Sequence, residues 1–118
     1  MDVERDEVVR RLGEDGFVVL DVRSEGEYRG EMTAPCDPRA GRIAGAQHFD
    51  LQLLLALTPD EIQERLGPPE AVELVAYCHS GSRSALAALA LRAAGYEARN
   101  YPGSWHEWSR HDDLPAEK

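Results

Sequence analysis

Apolar positions along the chain fall into short blocks that switch between two spacings. Phe17-Val18-Val19-Leu20-Asp21 and Leu74-Val75-Ala76-Tyr77 are unbroken apolar runs of strand length, the pattern of strands buried on both faces. Around them the spacing becomes helical. Val3, Val8 and Leu12 share one stripe that Gly13 to Gly16 ends. Ser24 with Glu27 has capping-box spacing and predicts a short helix through Tyr28. Gln47-His48-Phe49 reads as a short strand and Leu51 to Leu57 as an apolar helix. Thr58-Pro59-Asp60-Glu61 joins an N-cap threonine, a proline at the first helical position and a capping-box glutamate. That helix should run to about Leu66, stopped by Gly67-Pro68-Pro69. Ala85 to Leu91 is apolar almost all round, as expected of a helix packed deep against a sheet, and Gly95 ends it. Glu97 to Tyr101 predicts a last strand. Ser104 with Glu107 predicts the cap of a closing helix whose Trp105 and Trp108 serve as core and rim packing.

Strands alternating with helices predict an α/β fold with a mostly parallel sheet. One segment breaks the rhythm. From Gly30 to Gly41 two prolines and several small residues predict a surface loop of a dozen residues, a length at which loops often carry function, and Cys36 lies inside it.

Composition narrows the class. At 118 residues the chain predicts one domain, 1–118, able to bury a core without metal or disulfide staples. A net charge of −9 argues against nucleic acid and anionic membranes as partners. Two cysteines are too few for a disulfide framework and form no CxxC pair. Neither a signal-peptide core at the start nor a run of membrane-spanning length is evident, so the expectation is a soluble, cytoplasmic protein.

Candidate chemistry concentrates at Cys78-His79-Ser80-Gly81-Ser82-Arg83-Ser84. A buried strand ends at a thiol, a small-residue loop turns, and a helix begins. Ligands of open α/β sheets bind at such strand ends. The free amides and positive end of the new helix can hold an anion and favour a thiolate. Gly81 admits a positive φ or a close backbone approach. Arg83 opposes the helix dipole, so helix stability does not explain it, whereas an anion to be met does.

With these residues in view, the chain resembles the rhodanese family of sulfurtransferases over nearly all its length. Leu20-Asp21-Val22-Arg23 with Glu27-Tyr28 is similar to the family's first motif, and Cys78 to Arg83 to its active-site loop. Gly41 to Ala46 is similar to the second motif, with Arg42 where histidine is usual and Ala44 where proline is usual. Gly95-Tyr96, Tyr101 to Trp108 and Asp113-Leu114-Pro115 resemble the closing motif typical of the catalytic half of two-domain thiosulfate sulfurtransferases.

The resemblance implies a rhodanese-like α/β fold, helices on both faces of the sheet, and a persulfide carried on Cys78. The donor would be thiosulfate or a similar small anionic sulfane, and the acceptor cyanide or a cellular thiol. A sulfur-relay protein is a further candidate partner. The alternative is a carrier module that is loaded by a partner and does not turn over small donors. No metal or organic cofactor is implied. Related folds that handle phosphate or arsenate have five residues between cysteine and arginine; four here favour sulfur. A mercaptopyruvate enzyme usually lacks an arginine at the place of Arg83, which favours an inorganic donor.

Supporting roles stay open at this level. Arg83 would bind the oxyanion end of the donor or brace the loop through a carboxylate. Asp21 and Arg23 would support the catalytic loop or, more plainly, form an ion pair fixing their own turn. Arg42 is either charge at the pocket mouth or a solvated loop residue. His79 would tune the thiol or point outward, and Cys36 is an exposed thiol or a resolving partner for Cys78. A zinc site drawn from Cys36, Cys78 and the histidines lacks ligand spacing and is rejected.

Overall fold

Side chains of adjacent strand residues point to opposite faces, and here both faces are apolar. On β4 (Glu73–Tyr77), Leu74 and Ala76 enter one core with Cys78 just beyond, while Val75 and Tyr77 enter the other. On β1 (Phe17–Asp21), Leu20 joins the first core and Phe17 and Val19 the second. The structure, a computed structural model describing residues 1–118, therefore has a central sheet covered on both sides. Its order is β3-β1-β4-β5, all parallel, with β3 at Gln47–His48 and β5 at Glu97–Asn100. A second, antiparallel pair joins β2 (Arg42–Ile43) to β6 (Ala116–Glu117).

The first core lies beneath α3 (Leu51–Ala56), α4 (Pro59–Leu66) and α5 (Ser82–Ala93), supplied by Leu54, Ile62, Ala87 and Leu91. The second takes Val8 from α1 (Arg5–Arg11) and Trp105 and Trp108 from α6 (Ser104–Trp108). α2 (Glu25–Tyr28) and α4 begin with the expected capping boxes from Ser24/Glu27 and Thr58/Glu61. No helix is long and apolar enough to cross a membrane. Between α2 and β2 the chain runs without helix or strand, as the Gly30–Gly41 pattern predicts.

Three local expectations give way. Val3 lies before α1, not on it: its amide bonds to the Asn100 carbonyl at 2.8 Å, so the amino terminus runs along the β5 edge. α5 is not buried all round. Its inner stripe is Ser84, Ala87, Ala88 and Leu91, small residues that let the helix approach the sheet, while Leu86 and Leu89 face outward. Ser104 does not cap α6. Gly103 takes that place, and Ser104 opens the helix with φ +56°, the one positive φ outside glycine. Tertiary partners decide this: the Ser104 hydroxyl donates to the Tyr101 carbonyl (2.8 Å) and accepts from the Cys78 amide (3.1 Å).

Candidate active site

Strand β4 delivers Cys78 to the amino end of α5, and the turn between them folds back over the sulfur. Gly81 makes the turn possible twice over. Its φ of +99° suits glycine, and a Cβ there would meet the Pro102 carbonyl oxygen at 2.8 Å. Asn100 Nδ2 donates to the Gly81 carbonyl at 3.2 Å and fixes the turn from β5. From the other side, the Trp105 and His106 amides donate to the carbonyls of Cys78 (3.0 Å) and His79 (2.9 Å), so the start of α6 is docked on the loop.

Three donors converge on Cys78 Sγ: the Gly81 amide at 3.1 Å, the Ser84 amide at 3.4 Å and the Ser84 hydroxyl at 3.3 Å. That hydroxyl has one proton and two acceptors in reach, Sγ and the Gly81 carbonyl at 3.2 Å. A charged sulfur competes for it better than a neutral carbonyl. Burial pushes the Cys78 thiol up, but hydrogen bonds from Ser84, Gly81 and Ser80 outweigh burial and leave its pKa below the ordinary 9.0. Cys78 is only 1% exposed, so charge developing on its sulfur would be met by protein donors and not by water.

Arg83 is committed to a carboxylate. Its Nη1 and Nη2 donate to Glu27 Oε1 (2.9 Å) and Oε2 (3.2 Å). Burial would raise the Glu27 carboxyl, yet the Arg83 guanidinium and the Ser24 amide and hydroxyl hold it at about 2. The capping-box glutamate of α2 is thus also the anchor of the Cys78 loop. Its capping spacing made it visible as a cap, but no local signal pointed across 56 residues to Arg83.

The other sequence-chosen residues divide. Ser84 is buried against the sulfur, whereas the Ser80 and Ser82 side chains are exposed. Asp21 and Arg23 take the plainer of their two readings. Arg23 clasps Asp21 (Nη2 to Oδ2 2.7 Å, Nε to Oδ1 3.0 Å) and donates to the Gly41 carbonyl at 2.6 Å. The Tyr77 hydroxyl donates to Asp21 Oδ2 at 2.7 Å and accepts from the Ile43 amide at 3.1 Å. This buried network belongs to the second core, and no side-chain hydrogen bond from it reaches residues 78–84. It holds the long loop's end and β2 against the sheet.

Arg42 lies over the Tyr28 ring and pairs with Glu117, so it is neither free solvent-facing charge nor bonded to the Cys78 loop. His79 turns away from the sulfur toward Asp37, with Nε2 3.2 Å from Oδ1. Cys36 is an exposed free thiol beside it.

Arg39 escaped the sequence reading altogether. It sends Nε, Nη1 and Nη2 to the carbonyls of Ser109, Leu114, Trp108 and His111 at 2.7–3.1 Å, closing the end of α6, and its own carbonyl accepts from Trp105 Nε1 at 2.9 Å. Arginine in a proline-broken loop carries no local sign of such a role.

A sheltered cysteine, held by two backbone amides and a hydroxyl at the joint of a parallel strand and a helix, marks a class of α/β domain. Residues 4–111 match the family model of the rhodanese-like domain, and the chain belongs to that family. It is 36% identical over 122 residues to a thiosulfate sulfurtransferase of Azotobacter vinelandii, a match covering 96% of this chain and 44% of that protein. To a probable 3-mercaptopyruvate sulfurtransferase of Pseudomonas aeruginosa it is 39% identical over 109 residues, covering 83% and 38%. The crystal structure of a probable thiosulfate sulfurtransferase matches with a TM-score of 0.84 at 44% identity, covering 99% of this chain and 47% of that one. The chain thus spans about half the length, or less, of these relatives.

Proposed function

We propose that this chain is a sulfurtransferase domain that moves sulfane sulfur from thiosulfate, or a similar anionic donor, to cyanide or a thiol. The observation that carries the reading is the convergence of the Gly81 amide, the Ser84 amide and the Ser84 hydroxyl on Cys78 Sγ. The Cys78 thiolate attacks the outer sulfur of thiosulfate. The S–S bond of the donor breaks, its electron pair leaves with sulfite, and Cys78 holds the sulfur as a persulfide anion. Cyanide then attacks the outer sulfur, takes it as thiocyanate and returns the thiolate. Negative charge stays on sulfur throughout, and the loop donors and helix start are arranged to meet it without water.

Glu27 neutralises Arg83 only in part of its reach. The two-pronged contact uses two of the five guanidinium N–H groups, leaving others for the sulfonate end of a donor. The same geometry supports an anionic donor over a neutral one. Asp21, Arg23 and Arg42 act as scaffold, and catalysis falls to Cys78 with the amides of residues 80–84.

Incubation with thiosulfate should add one sulfur atom to Cys78 by intact mass, and cyanide should then release thiocyanate. Cys78→Ser should do neither. An unmodified mass from folded wild-type protein would overturn thiosulfate as donor. If a mercaptopyruvate or protein persulfide donor then loads Cys78, the assignment moves to that donor or to a carrier role.

A further inference from the structure

The rejected zinc site assumed Cys78 as a ligand. A different set comes together in the folded chain. Cys36 and Asp37 from the long loop, His79 from the turn after the nucleophile and His106 from α6 bring one ligand atom each to within 4.8 Å of all the others. We propose that these four side chains form a tetrahedral zinc-binding site.

The donor set is thiolate, carboxylate and two imidazoles, all ordinary zinc ligands. Bonds of about 2.0–2.3 Å to a central zinc put tetrahedral ligands about 3.3–3.6 Å apart. Cys36 Sγ lies 3.8 Å from Asp37 Oδ1, 3.9 Å from His79 Nε2 and 4.0 Å from His106 Nδ1. Asp37 Oδ1 lies 3.2 Å from His79 Nε2 and 3.5 Å from His106 Nδ1. Those five edges need to contract by a few tenths of an ångström at most; the sixth, between the two imidazoles, lies within 4.8 Å and closes by rotation of the exposed His106 side chain.

Asp37 supplies an independent observation. Its side chain is 1% exposed, and Oδ2 has no hydrogen-bond donor. A buried carboxylate oxygen left bare is costly unless a cation meets it. His79 Nε2 is 3.0 Å from Oδ2 but out of line for a hydrogen bond, and its aligned contact is to Oδ1. Arg110 also takes Oδ1, at 3.3 Å, and donates to the Cys36 and His106 carbonyls. Arg110 thereby holds the two segments that carry Cys36 and His106 next to each other before any metal arrives.

Zinc would bind with loss of the Cys36 proton to solvent, giving a site in which one thiolate and one carboxylate balance the ion. With all four positions filled by protein, it is a closed, structural site. It ties the Gly30–Gly41 loop and α6 to His79, the residue after Cys78. Cys78 itself stays free, because its sulfur is held by Gly81 and Ser84.

The test titrates Co2+ and Zn2+ into the metal-free full chain and reads binding rather than sulfur transfer, so it stands apart from the activity above. One Co2+ per chain should bind, with the visible bands of tetrahedral cobalt and a thiolate charge-transfer band, and Zn2+ should displace it. Cys36→Ser should abolish the charge-transfer band, Cys78→Ser should keep it, and His106→Ala should weaken binding at least tenfold. Absence of one-to-one binding, a band that survives Cys36→Ser or is lost in Cys78→Ser, or an affinity unmoved by His106→Ala would each overturn the site. Cys36 and His106 are both exposed, so circular dichroism should show these variants folded.

Discussion

Arg83 holds Glu27 with two prongs, Nη1 to Oε1 at 2.9 Å and Nη2 to Oε2 at 3.2 Å. The pair joins the first turn of α5 to the first turn of α2. Because Glu27 also closes the capping box with Ser24, one carboxylate serves a helix end and the Cys78 loop together.

Glu27 makes the domain acid-sensitive in a defined window. Its carboxyl titrates at about 2 in the fold against an ordinary 4.5. A depressed folded-state value means that the stabilisation is complete above pH 4.5 and is lost as pH falls toward 2. Urea midpoints should drop across that window. Glu27→Gln should cost about 1 kcal/mol at neutral pH, mainly through the lost charge pair with Arg83, since glutamine still serves the capping box, and should flatten the acid limb. A Glu27→Gln curve parallel to wild type would remove Glu27 as the source.

Arg83→Lys keeps the charge and loses the planar fork that matches a carboxylate. The thiosulfate kcat/KM, followed by thiocyanate release, should fall roughly tenfold, a loss typical of one charge-assisted pair. Persulfide loading of Cys78 should remain possible, because the sulfur is held by amides and a serine instead of by Arg83.

Ser84 should set the titration of the Cys78 thiol. Its amide and hydroxyl both stabilise the thiolate, so removing the hydroxyl must raise the thiol pKa. In a Cys36→Ser background, the pH profile of Cys78 alkylation should have its midpoint below 9.0. Ser84→Ala should move that midpoint upward while the alkylation rate at high pH stays near that of the parent. An unmoved midpoint would show that the backbone amides suffice.

Much of this was legible along the chain because it is local. The strand runs, the two capping boxes and the Cys78 loop each sit within a few residues, and period and spacing report such things directly. What escaped is held by distant partners. Ser104 looks like a cap, yet a hydrogen bond to the Cys78 amide, 26 residues away in sequence, turns it to φ +56°. Arg39 and the Cys36, Asp37, His79 and His106 cluster are assembled from segments that share no spacing at all. Spacing rules cannot see a cluster drawn from the long loop, the turn after Cys78 and α6.

Gly81 tests how tightly the turn is specified. A methyl group there faces both a positive φ and the Pro102 carbonyl at 2.8 Å, and the obstacle is backbone that cannot rotate aside. Gly81→Ala should cost about 2 kcal/mol or more, the scale of a strained backbone residue, and should lower sulfur transfer well beyond the loss in stability. Full activity in a destabilised variant would show that the turn can relax without disturbing Sγ.

Arg39 offers the clearest stability test because its role is separate from sulfur chemistry. Its guanidinium donates to four carbonyls, Trp108 and Ser109 at the end of α6 and His111 and Leu114 beyond it, of which Trp108 and His111 also accept a backbone amide. Hydrogen bonds to a charged donor contribute about 1.5–3 kcal/mol each in favourable cases, but carbonyls freed near the surface regain water. Arg39→Ala should therefore lower stability by about 2–4 kcal/mol rather than by the sum. Arg39→Lys should recover only a fraction, since an ammonium cannot span four acceptors set around a planar fork. Hydrogen exchange should quicken first at the α6 amides and in the Gly30–Gly41 loop. If exchange there stays slow while the denaturation midpoint falls, the lost contacts act on the whole core and not on the end of α6.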